Sequence, residues 1–512
     1  MRATTHYVMA IIIKIMKKYL LAFLGLSLFL TNCSKNDDSP FTEELEEINP
    51  TPEEEIDVTV QNFMWQTMNT YYFWQSDVAD LADSRFASYD DYVSFLENEE
   101  NPGTFFDEKL LYSEDRFSFY SDDYKELTQS FAGISKSNGL EFGLSLFANS
   151  NDVYGYVRYI VPNSNASTKD IQRGDIFTGV NGTTLNLDNY IDLLFGDNDT
   201  YTLNMAEISN NVITDTDREV SLTKEANLTE NPVFINKVLE TGGKKIGYLM
   251  YNGFTNEFDE QLNNAFGEFK SAGVTDLVLD LRYNPGGSVN SARLLSSMIY
   301  GTYTNSVFLK ARYNTKLQSE FKETDLIEYF ADATDNNTPI NTLGLSKVYI
   351  IATGSSASAS ELVMNGLDPY INVIHIGTTT TGKNEFSVTF VDDFDNGNVY
   401  DPDREDNINP DNHWAIQPLI GRNENANGFS DYTDGLTPDI LLSEDLSNLG
   451  VLGNMDEPLL AKAISEITGI TAKMDFTVDM PVELVSSSKM FTKIKDNMFM
   501  DIKKPLNLTK KQ

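Results

Sequence analysis

The sequence predicts a multidomain α+β chain: a helical N-terminal domain, a β-rich domain and an α/β layered core. Three observations carry this. Apolar and aromatic side chains recur at helical spacing over 58–130, alternate in strand fashion over 131–226, and from about 230 form short apolar runs joined by helical stretches. The 512 residues leave room for about three domains at roughly 150 residues each. With 41% hydrophobic and 12% aromatic residues, the chain can bury sizeable cores.

Charge narrows the function. Seventy-seven acidic against 38 basic side chains give a formal net charge of −39, which repels phosphate and argues against a nucleic-acid partner. Cys33 is the only cysteine, so an internal disulfide framework, a cysteine-ligated zinc site and a thiol nucleophile beyond the leader are excluded. His6, His375 and His413 are the only histidines, too few and too dispersed for a histidine metal cluster.

Residues 1–33 carry Arg2, Lys14, Lys17 and Lys18 and no acid, and 19–30 is an apolar run too short to span a bilayer. Such a pattern is a secretory signal; translation from Met1 or from Met16 fits it, the second giving a leader of ordinary length. Leu30-Thr31-Asn32-Cys33 resembles the lipobox of bacterial lipoproteins, which implies acylation of Cys33 and a lipid anchor in the cell envelope. An ordinary signal peptide with an incidental cysteine is the alternative. Ser34-Lys35-Asn36-Asp37-Asp38 resembles the export tags of surface lipoproteins in the Bacteroidetes group, and 34–57 reads as an acidic tether.

Over 58–130, Val60, Phe63, Met64, Met68, Tyr71 and Tyr72, thickened by Trp65, Phe73 and Trp74, predict an aromatic helical core. Strands follow at 140–146 and 154–160. Gly174-Asp175 makes a turn, 176–180 a strand, Asn181-Gly182 a tight hairpin turn, and 188–195 a helix. This order resembles a PDZ domain, which implies binding of an extended peptide by strand addition, with Asn138, Gly139 and Leu140 as the loop that would hold its terminal carboxylate.

In the core, 230–470, strands are expected at 246–251, 276–281, 348–353 and 373–376, and helices at 258–270, 294–300 and 361–367. Two strand ends carry chemistry. Asn284-Pro285-Gly286-Gly287 follows one, where glycines let backbone N–H groups approach a ligand. Ser355-Ser356-Ala357-Ser358-Ala359-Ser360-Glu361 follows another and opens a helix, a turn suited to an exposed nucleophile. Lys383, in a Gly/Thr loop 25 residues after Ser358, is a candidate base. It serves only if burial depresses its pKa from ~10.4 toward neutrality.

Together the NPGG, Ser-Ala-Ser-Glu and Gly-Lys segments resemble the C-terminal processing (tail-specific) serine peptidases, across about 131–470. The resemblance implies a crotonase/ClpP-like layered core, with Ser358 as nucleophile and Lys383 as general base. The oxyanion would rest on the amides of Ala359 and of Gly286 or Gly287. It implies polypeptide substrates and neither metal nor cofactor. Many members carry a glutamine four residues after the lysine. Here Ser387 stands there, able to orient the lysine instead, while Glu385 could pair with Lys383 and raise its pKa. Asp368 and the closing Gly435-Leu436-Thr437-Pro438-Asp439 segment are read as structural.

The acidic stretch 392–411 suggests a solvated insertion, with calcium binding at Asp393-Phe394-Asp395 the weaker reading. The tail, 471–512, has eight lysines against five acids and reads as a flexible or weakly packed extension. Two rivals to the peptidase remain: a catalytically weak or inactive peptide-binding surface lipoprotein, and an esterase acting on glycan or lipid esters.

Overall fold

The computed structural model describes residues 56–470, 475–492, 495–500 and 502. The leader, Cys33, all but the last two tether residues and parts of the 471–512 extension lie outside them. No helix among the described residues is long and apolar enough to cross a membrane.

The central sheet has six strands in the order Val233–Thr241, Lys244–Tyr251, Asp276–Asp280, Lys347–Ala352, Asn372–Gly377 and Ile440–Leu441. The first pair is antiparallel and the rest are parallel. Alternate side chains of these apolar runs feed two cores. Leu249, Tyr251, Leu279 and Ile350 meet the helices Asp259–Ala272, Val289–Ile299 and Ala359–Leu367 on one face. Tyr248, Met250, Val278 and Ile351 meet Pro458–Thr468 on the other. The first helix ends on Gly273 in the left-handed conformation (φ +76°), as a helix C-terminus favours. The helix expected to carry 294–300 starts at Val289, because Ser288 caps it by accepting the Ser291 N–H, and ends at Ile299.

The β-rich region is an antiparallel sheet in the order Leu140–Leu146, Val153–Ile160, Ile176–Val180, Thr200–Ser209 and Val212–Thr223, with the helix Tyr190–Phe195 packed on it. At the N-terminal side, Phe63, Met64 and Met68 of the helix Thr59–Tyr71 share one continuous core with Leu249 and Leu279. The aromatic stripe therefore packs into the α/β layer instead of closing on itself.

Two surface expectations change. The 392–411 stretch is seated on the N-terminal helices: Asn396, Asn398 and Val399 are buried, and Tyr71 donates to the Gly397 carbonyl. Asp393 is buried and paired with Arg404, a neutralised charge and not an open ligand. The described part of the tail is also packed. Ser486–Ser487 adds antiparallel to Leu140–Leu146, while Met498–Phe499 enters a second sheet between Gly287–Ser288 and Glu385–Ser387.

Candidate active site

The strand Lys347–Ala352 delivers the serine-rich turn, and small side chains bolt that turn to the neighbouring strand end. Ser356 Oγ donates to the Leu281 carbonyl, Thr353 Oγ1 to that of Arg282, and Ser360 Oγ to that of Asn284. Ser358 is buried and sits at φ +64°, ψ −113°, a conformation a non-glycine residue holds only when its surroundings force it. Its Oγ has no hydrogen-bond partner among the described residues.

Beside it, Asn284 donates from Nδ2 to the Tyr251 carbonyl and accepts the Gly286 N–H on Oδ1. Gly286 has φ +117°, and a Cβ there would lie 2.6 Å from Ser358 Cβ, so only glycine lets the two segments meet. With the Gly286 N–H spent on Asn284, Gly287 is the glycine that turns its N–H outward, to the Asn497 carbonyl oxygen at 2.7 Å. Ala359 opens the helix Ala359–Leu367, where first-turn N–H groups lack intrahelical partners.

Lys383 is 1% exposed. Burial pushes its ammonium down to about 8, against the opposing pull of Asp496, Glu385, Asp115 and Glu361. Among the described residues it makes no salt bridge. Its Nζ donates to the Asp496 carbonyl (2.9 Å) and Asn497 Oδ1 (3.3 Å) and lies 4.7 Å from the centre of the Phe117 ring. Ser358 and Lys383 thus share one buried locus without a hydrogen bond between them.

Glu361 holds the two together. Its carboxylate accepts the N–H groups of Ser358 (2.7 Å), Gly382 (2.7 Å) and Lys383 (2.9 Å) and the Thr380 hydroxyl, tying the serine turn to the lysine loop. Burial raises its carboxyl to about 7 even against those four bonds. The S-x-x-E pattern was the available signal for this role. Arg116, which donates to the Gly382 carbonyl, and Phe117 come from the N-terminal region and have no such signal.

Several expected residues stand elsewhere. Glu385 pairs with Arg422 (3.0 Å), not with Lys383, because the antiparallel register sets those two side by side. Ser387 Oγ donates to Asn497 Oδ1 (2.8 Å), the same oxygen that accepts from Lys383, so it reaches the lysine only through Asn497. Asn138, Gly139 and Leu140 do form a tight loop, but its amides are satisfied internally. The Gly139 N–H goes to Ser137 Oγ and the Leu140 N–H to Asn138 Oδ1, which leaves neither for a carboxylate. Asp368 is exposed at the end of its helix, and Asp439 accepts the His375 N–H at a strand edge.

Comparison with known proteins agrees with this geometry. The family model for peptidase family S41 matches residues 245–440, and that for the peptidase S41 N-terminal domain matches 59–119. A Staphylococcus aureus protein described as a CtpA-like serine protease is 24% identical over 293 residues, 57% of this chain and 53% of that protein. A carboxyl-terminal-processing protease of Picosynechococcus is 25% identical over 170 residues, 33% of this chain and 36% of that one. The chain therefore spans about half the length, or less, of these curated relatives. The crystal structure of an S41 protease from Bacteroides fragilis superposes with a TM-score of 0.59 at 26% identity, covering 80% of this chain and 97% of that one. The strained serine, the glycine strand end and the buried lysine lie inside the larger matched segment, and the chain belongs to peptidase family S41.

Proposed function

We propose that this chain is a serine endopeptidase that cuts polypeptides with a Ser358–Lys383 dyad. The observation that carries the reading is a lysine stripped of ion pairs among the described residues, its pKa depressed by burial, and tied through Glu361 to the turn that bears an unpartnered serine hydroxyl. A lysine serves as a base only when neutral, and burial supplies that.

In the proposed reaction, neutral Lys383 Nζ takes the Ser358 Oγ proton as Oγ attacks the substrate carbonyl. The resulting oxyanion is met by the Gly287 and Ala359 N–H groups. The ammonium then protonates the leaving amine, the C–N bond breaks, and an ester to Ser358 remains. A water molecule, deprotonated by Lys383, attacks that ester. Collapse of the second tetrahedral species returns the proton to Ser358 Oγ and releases the acid.

The β-rich domain is read as PDZ-like, adding a substrate strand along Leu140–Leu146. The internally satisfied Gly139 and Leu140 amides favour capture of an extended segment near a C-terminus over capture of the terminal carboxylate itself. Acylation of Cys33 would tether the enzyme to the envelope membrane. The six-stranded layer flanked by helices on both faces supports a crotonase/ClpP-like core.

A peptide-binding protein without activity is the second reading, favoured by the missing Ser358–Lys383 hydrogen bond. Incubating an unstructured protein such as casein with wild type and with Ser358→Ala separates the two. Cleavage by wild type alone is expected. Equal inertness at all pH values from about 7 to 10, across the Lys383 transition, would favour the binding protein.

A further inference from the structure

The site has an occupant, and it is the chain itself. From Val485 the tail runs along the β-rich domain: Val485 N–H donates to the Leu144 carbonyl, Ser486 and Ser487 pair with Leu144 and Gly143, and Ser488 Oγ accepts the Phe142 N–H. Phe491 then stacks on Phe195 at 3.8 Å between ring centres. That is how an extended peptide joins a sheet edge and sets an aromatic anchor against the adjacent helix.

Residues 495–500 continue in the catalytic cleft. Met498 and Phe499 pair in parallel with Gly287 and Ser288, and the Met500 N–H donates to the Ser387 carbonyl. The Asn497 carbonyl oxygen takes the Gly287 N–H, and it lies 2.7 Å from where a Gly286 Cβ would stand, the same point that Ser358 Cβ approaches to 2.6 Å. A cavity of about 350 Å³, bordered by Leu140, Phe195 and Phe491 and by Pro285, Gly286 and Phe499, joins groove and cleft.

We propose that residues 485–492 and 495–500 form an intramolecular substrate mimic, which fills both the peptide groove and the oxyanion site and keeps most of the peptidase population inactive until it is displaced. This rests on the Ser358–Lys383 reading. The tail disarms the site in two ways. Its Asp496 carbonyl and Asn497 side chain draw the Lys383 ammonium into hydrogen bonds that do not include Ser358. Asp496 also favours the charged form of that lysine, which is useless as a base. Tethering makes the mimic effective, since a linked segment acts at a millimolar-scale effective concentration that micromolar substrate cannot match.

The test compares the full chain with a chain ending at Thr492, which keeps the groove contacts and loses the cleft segment. Casein turnover and labelling of Ser358 by a fluorophosphonate are followed, and thermal melting checks folding. The shortened chain is expected to be faster by about tenfold or more in both assays, as when a minor open population becomes the whole. Its activity should rise at lower pH, because Asp496 is gone. A synthetic peptide of residues 484–502 at about millimolar concentration should slow it again. Asn497→Ala in the full chain removes the acceptor shared by Lys383 and Ser387 without shortening the protein, and should speed labelling severalfold even if the truncation fails to fold.

Equal, Ser358-dependent rates in all three proteins would overturn the mimic and leave the peptidase standing. A Ser358-dependent cut between Asn497 and Met498 in freshly folded full chain would also overturn it, since the tail would then be a substrate. Absence of cleavage and labelling in every variant would take down the mimic together with the dyad beneath it.

Discussion

Two clusters of charge lie equally deep in this molecule and are handled in opposite ways. Under the glycine strand end, Arg282 is fully buried and forks onto Asp280 (2.9 and 2.7 Å) and Glu457 (2.7 and 3.0 Å), with Glu444 at 3.2 Å. Arg173 and Tyr283 donate to the same Glu444 oxygen, and Tyr248 to Asp280 Oδ2. Burial pushes the Glu444 carboxyl up, but the Arg173 and Arg282 guanidiniums outweigh it and hold it at about 2. At the neighbouring serine turn, Lys383 is just as enclosed yet has carbonyl and amide oxygens as its hydrogen-bond partners in place of a carboxylate, and its ammonium is driven down to about 8. Matched charges brace a backbone; an unmatched one is the base in the reaction we propose. Burial alone does not select between scaffold and chemistry: the partners do.

Breaking the reactive side should have the largest effect. Ser358→Ala removes the nucleophile, and Lys383→Arg keeps the positive charge but offers no proton acceptor near neutral pH. Each should lower casein turnover by on the order of 10⁴-fold or more, read as initial rates at pH 8 to 9, with little change in thermal stability. Breaking the scaffold side should do the reverse. Glu457→Leu strips Arg282 of its bidentate partner in a water-free site and should cost about 3–5 kcal/mol in denaturant unfolding. If Glu457→Leu left stability within about 0.5 kcal/mol, the bracing role assigned to the cluster would be wrong. The smallest effect sharpens the contrast where the two halves meet. Glu361→Gln keeps one acceptor but sets an amide NH₂ against backbone N–H groups, shifting the lysine loop against the serine turn. In that variant kcat should fall by about 10–100-fold, with KM nearly unchanged.

Much of this was legible in the residues alone. Apolar runs with turn punctuation mark four of the six central strands to within two residues, because strands buried on both faces tolerate nothing else. Strand ends and spacing single out Ser358, Lys383 and the two glycines, and the structure gathers them at one place, although without a serine–lysine hydrogen bond. What escaped is contact at long sequence separation. Arg116 and Phe117 reach the lysine loop from about 266 residues away with no local pattern to announce it. The seat of the tail was equally hidden. Met498-Phe499-Met500 is a short apolar run in a lysine-rich segment, and only the complementary edges of Gly287–Ser288 and Glu385–Ser387 make it a strand. The pairing of Glu385 with Arg422 escaped for a related reason, since a two-residue spacing from Lys383 says nothing about which strand lies across the ladder.

The most direct test of the dyad is the pH dependence of fluorophosphonate labelling at Ser358 in the full chain, compared with Lys383→Met. A base held at about 8 is protonated below that value and neutral above it. Labelling should therefore rise with pH through a midpoint near 8, and Lys383→Met should flatten the curve at its low-pH level. A labelling rate with no inflection across that range, or an inflection that survives Lys383→Met, would contradict the assignment of Lys383 as the base that activates Ser358.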